Sequence, residues 1–143
     1  MYPDQHDVEL ALRGLAGPRP DPASIWKDVV LVRSFLDEAR GYCFNHGRHQ
    51  FILVSELKKT AEEFIGHAIP EAALQVAIRM QNLQVKPSGA DKQPLVKLPP
   101  LDRFGERREL WNQHMTDLEK EIATEVGRME QERQMRARAT KSE

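Results

Sequence analysis

Apolar residues return every three or four positions over residues 23–41. Ile25, Val29, Val32, Phe35, Leu36 and Ala39 fall there on one helical face. Asp21 or Ser24 reads as the N-cap, Pro22 suits the first turn, and Gly41 reads as the terminator. Ahead of this helix, residues 7–16 read as a shorter one stopped by Gly17 and Pro18. Residues 17–22 form a stiff connector, because Pro18, Pro20 and Pro22 fix φ and remove donors. After a loop rich in His, Asn and Gly at 42–49, residues 50–54 (Gln-Phe-Ile-Leu-Val) are a short β-type run. Ser55 then reads as the N-cap of a helix over 56–66, with Glu56 near its positive end. Leu57, Ala61, Phe64 and Ile65 are its stripe and Gly66 its end. Pro70 opens a helix over 70–83 whose stripe is Ala73, Val76, Ala77, Met80 and Leu83. Residues 84–86 and 94–98 read as the strands of a hairpin joined by Pro87 to Gln93, and Pro99-Pro100 closes it.

From about 104 to 136 the pattern predicts one long, heavily charged helix. Trp111, Met115, Leu118, Ile122, Val126 and Met129 recur along it at helical spacing. Beyond Met129 the residues are almost wholly polar, so fraying or disorder is expected there. Strand, helix, turn, helix, hairpin is the order of a winged helix, with a helix-turn-helix pair and the hairpin as the wing. The expected fold is therefore mainly α, winged-helix-like, with a long C-terminal amphipathic helix. It divides into an N-terminal helix and Pro-rich connector (1–22), the winged-helix-like domain (23–100) and the C-terminal helix with its polar tail (101–143).

The 143 residues, 40% hydrophobic and 30% charged, suit one modest core with appendages. A formal net charge of −1 argues against a non-specific nucleic-acid binder, so any such contact requires a local basic patch. The one cysteine, Cys43, excludes an internal disulfide framework and agrees with a reducing compartment. No apolar run approaches the roughly 20 residues that span a bilayer. The N-terminus carries neither a basic n-region nor an apolar h-region, and a cytoplasmic or nuclear location is expected.

No phosphate loop, GxGxxG, HExxH or GxSxG pattern occurs, so neither catalysis nor a cofactor is expected. Cys43, His46 and His49 have ligand-like spacing, with His67 as a conceivable fourth ligand. The other reading is a polar loop with a half-buried cysteine, and no metal site is assigned. With the stripe of helix 70–83 turned inward, Gln75, Arg79 and Asn82 share its outer face. They suit either base-edge contacts in a major groove or a plain solvated face. On the wing, Lys86, Lys92 and Lys97 suit either a phosphate backbone or the protection of an exposed edge. The stripe of helix 104–136, from Trp111 to Met129, is a partner-binding candidate. It can pack on its own domain, pair with a second copy as a coiled coil, or dock on another protein.

The run His49-Gln50-Phe51-Ile52-Leu53-Val54-Ser55-Glu56-Leu57 resembles a segment of RecD-like superfamily 1 DNA helicases, including DNA helicase B. In those proteins a Gly-His-aromatic strand enters a capped helix ahead of the motor. Here Arg48 precedes His49, and Gly47 lies one position earlier. Downstream, Val96-Lys97-Leu98-Pro99-Pro100-Leu101 leading to Glu106-Arg107 is similar to the family's step from hairpin into long helix. Asp102 stands where an aromatic is usual, and Asn82-Leu83-Gln84 replaces the usual glycine. A further echo runs from Glu119 to Ala123. The resemblance covers at most residues 30–129. It implies a winged-helix-like accessory region of a DNA-processing protein, without the motor and so without helicase activity. The expected function is a non-catalytic accessory module binding DNA, a partner protein, or both. A pure protein-interaction winged helix and a small zinc-binding regulator are the alternatives.

Overall fold

The central helix of the computed structural model, α2 (Pro22–Cys43), is the segment with the strongest apolar periodicity. Residues 5–13, 20–87 and 94–141 are described. Asp21 is the cap, its carboxylate accepting from the Ala23 N–H at 3.1 Å. The helix does not stop at Gly41. It continues two residues further to Cys43, whose side chain is fully buried. A glycine inside a helix costs about 1 kcal/mol relative to alanine. Burying the last turn outweighs that. The buried set is also wider than one stripe: Trp26, Val30 and Leu31 join it, because α2 is packed by α1, α3, α4 and a 3-10 turn on different sides.

Helix α1 (Gln5–Leu12) buries Val8 and Leu12 and packs on α2 and α4. It begins before the expected Asp7, and its expected stop at Gly17-Pro18 lies outside the described residues. Strand β1 (Gln50–Leu53) passes directly into α3 (Val54–Ile65). Leu53 takes the N-cap position with no side-chain bond, and Ser55 sits inside the first turn rather than capping it. Val54 is buried, so packing sets this helix start one turn position ahead of the hydroxyl. Gly66 ends α3 as expected, in the left-handed region at φ 93°, its N–H donating to the Glu62 carbonyl at 2.8 Å. The Glu62 carboxylate accepts from the Ile69 N–H at 2.7 Å and so holds the turn that follows.

Helix α4 (Glu71–Met80) is shorter than the expected 70–83. Asn82 takes φ 54°, the Asn82 N–H donates to the Arg79 carbonyl, and the Leu83 N–H donates to the Ile78 carbonyl. This is a Schellman ending with asparagine at its left-handed position, a role that Asn tolerates better than other non-glycine residues. Strands β2 (Val85–Pro87) and β3 (Pro94–Leu98) complete an antiparallel sheet in the order β1-β3-β2. Register pairs Phe51 with Lys97 and Ile52 with Val96 on one side, and Val85 with Val96 and Lys86 with Leu95 on the other. Alternation therefore puts Ile52, Val96 and Leu98 on the inner face and Phe51, Leu95, Lys86 and Lys97 on the outer one. Below the sheet, Phe35, Phe64 and Phe104 form an aromatic cluster with centroids 4.9–5.6 Å apart. Phe104 comes from the 3-10 turn Asp102–Arg107, which stands where the long helix was expected to begin.

The chain divides into two compact units, Met1–Arg108 and Glu109–Glu143. The second is carried by α5 (Arg108–Lys141), whose helix extends past Met129. Arg128 pairs with Glu125 and Glu132, and Arg133 with Glu130. Pairs at these spacings link successive turns of a helix surface. Along its apolar stripe, Trp111, Met115, Leu118 and Ile122 are buried, Met129 is half-buried and Val126 is 45% exposed. Among the described residues no helix is long and apolar enough to cross a membrane.

Candidate nucleic-acid interface

The outer face of the sheet brings together two cations of the hairpin, Lys86 and Lys97. Lys97 lies directly across from Phe51 in the β1–β3 register, and Lys86 stands one strand further on the same face. The Lys86 ammonium sits 4.1 Å from the centroid of the Phe51 ring and the Lys97 ammonium 5.9 Å from it. Each such contact at an exposed site is worth about 0.5–1 kcal/mol. That is enough to bias two long side chains toward one spot without removing them from solvent. Both lysines are exposed and the ring is half-buried. The result is two positive charges held about one aromatic face. Phosphate oxygens are attracted to the ammoniums, and a base or sugar can lie on the ring.

Of the expected wing lysines, Lys86 and Lys97 are thus brought together, while Lys92 lies outside the described residues. Phe51 completes the site and is not among the residues that spacing alone marks. Its signal was the two-residue alternation of the strand, which sets it opposite Ile52.

Helix α4 differs more from expectation. Gln75 and Arg79 are on it, half-buried and exposed respectively, but Asn82 is off the helix in the left-handed turn, so the three do not share a helical face. Besides the expected stripe, Leu74 and Ile78 are buried, because α4 lies against both α1 and α2. Met80 and Leu83 are only half-buried. The Arg40 guanidinium donates to the Gln81 side-chain oxygen at 3.0 Å and ties the end of α4 to α2. Glu71 and Arg79, of opposite charge, are the exposed residues of α4. The apolar pair Leu74 and Ile78, four residues apart, was the sequence signal of this second buried side.

The loop Cys43, His46 and His49 does not assemble. Cys43 is buried, and burial, with Asp102 and Glu106 nearby, pushes its thiol pKa up, which disfavours a thiolate ligand. The His46 ring stacks edge-on to Tyr42, and His49 to Phe44. Among the described residues no group of three His, Cys, Asp or Glu side chains is placed to hold a metal ion.

Compared with family models, curated proteins and solved structures, the chain matches none.

Proposed function

We propose that residues 22–98 form a winged-helix domain acting as a non-catalytic accessory module of DNA-processing machinery, and that its wing contacts nucleic acid. The order α2, β1, α3, α4, β2, β3 and the strand order β1-β3-β2 support the winged-helix reading. The link to DNA processing rests on the resemblance of residues 49–57 and 96–107 to helicase accessory regions. The observation that carries the nucleic-acid reading is the convergence of Lys86 and Lys97 on the Phe51 ring. This contact is electrostatic and backbone-directed, since lysine ammoniums attract phosphate without reading a base. The polar strip of α4 is narrow and of mixed charge, so sequence readout in a major groove is not part of the proposal.

Titration of the full chain with a short duplex and with a single-stranded oligonucleotide, over a series of salt concentrations, tests it. Binding should weaken steeply with salt. The double variant Lys86→Ala/Lys97→Ala should lower the slope of log K against log salt by about 2. No binding at low salt, or a slope unchanged by the double variant, overturns the reading.

A second reading, a protein-interaction winged helix without nucleic acid, draws on α5. Leu110, Val126 and Met135 expose 54%, 45% and 67% of their surfaces there. A flat nucleic-acid titration favours this reading.

A further inference from the structure

On the other side of the first unit, a cleft of about 480 Å³ opens between α3 and the segment 98–105. Its apolar lining comes from Ile52, Phe64, Leu98 and Pro99. Its polar rim is acidic: Glu56 and Glu63 from α3, and Asp102 from the start of the 3-10 turn. One cation, Arg108, belongs to the wall and is already engaged. Its guanidinium lies 4.4 Å from the Phe64 ring centroid and 3.5 Å from the Glu63 carboxylate. Glu56 and Asp102 have no such partner. Among the described residues their carboxylates make no ion pair.

The wall opposite α3 is built to hold its shape. Pro99 and Pro100 restrict the backbone and donate no N–H. Gly47 approaches Pro100 so closely that a Cβ there would stand 2.8 Å from the proline ring. A rigid, apolar-floored cleft with two unpaired carboxylates on its rim repels phosphate and suits a cation carried on an apolar stem. Arg108 shows the chemistry that this wall accepts, a guanidinium over an aromatic ring and beside a carboxylate.

We propose that this cleft docks an extended segment of a partner protein that presents an arginine between apolar residues. The arginine pairs with Glu56 and Asp102 while its apolar neighbours cover the half-buried Ile52 and Leu101. The site is independent of the wing and of opposite charge, so one module can hold nucleic acid and a basic protein segment at once.

Selection of a random-peptide phage library on the full chain tests this. The enriched peptides should carry arginine flanked by apolar residues, and synthetic copies should bind the wild-type chain. The Glu56→Gln/Asp102→Asn variant should lose about tenfold in affinity for them, with its thermal unfolding and its nucleic-acid titration unchanged. Both positions are exposed, so each single variant serves as a folding control. Replacing the peptide arginine with lysine should weaken binding, because an ammonium lacks the planar fork. The proposal is overturned if no peptide is enriched, or if enriched peptides lack arginine or bind the double variant equally well. It is also overturned if the double variant instead loses nucleic-acid binding or self-association, which would assign the cleft to another occupant.

Discussion

On the inner face of the three-stranded sheet, Val96 and Leu98 expose 0% and 1% of their surfaces; on the outer face, Lys86 and Lys97 stand in solvent around a half-buried Phe51. Neighbouring residues of one strand, Val96 and Lys97, therefore belong to different problems. The first anchors the sheet over the hydrophobic core, and the second is free to meet a ligand. The difference teaches where mutation is tolerated and where it is not. A one-residue slip in register would exchange the two sets, so the burial of Val96 and Leu98 is also what keeps the lysines outside. The same contrast extends to charge. The outer face is basic, while the cleft lined by Glu56, Glu63 and Asp102 is acidic. A near-neutral total of −1 thus conceals two local fields of opposite sign.

The contrast between the two faces can be broken first from the inside. Val96→Asp buries a carboxylate with no partner and should cost more than about 3 kcal/mol, seen as loss of the cooperative urea transition. Phe51→Ala, on the half-buried outer ring, should cost about 1–2 kcal/mol, below the 3–5 typical of a fully buried phenylalanine. Its urea midpoint should fall modestly with an unchanged slope. Lys97→Glu should shift stability by no more than about 0.5 kcal/mol while weakening nucleic-acid binding at low salt. If Lys97→Glu unfolded the protein as Val96→Asp does, the division of labour between the faces would be wrong.

Much of the fold was legible in the chain because the relevant signals are local. The 3.6-residue period of α2, the two-residue period of β1 and β3, a cap at Asp21 or Ser24 and the Gly66 stop each depend on neighbours in sequence. The errors arose where distant segments intervene. Gly41 is overridden because two further residues bring Cys43 into the core. Ser55 loses its capping role because Val54 is already packed. Helix α4 ends two residues before Asn82, whose left-handed turn removes it from the face that it was expected to share with Gln75 and Arg79. The candidate site was half visible. Lys86 and Lys97 were identified as hairpin lysines, but their meeting over Phe51 depends on how three strands align.

The sequence by itself determined the order of helices and strands, their polarity, and the absence of any phosphate-loop or zinc-protease pattern, since these are matters of residue type and short-range spacing. Only the tertiary structure decided which charges share a surface. Lys86 lies 35 residues from Phe51 and yet 4.1 Å from its ring. Asp102 lines the same cleft as Glu56 although 46 positions separate them. The physical reason is that burial of Val96, Leu98 and the phenylalanine cluster fixes the strand register and the packing of α3. The position of every outward-facing charge follows from that.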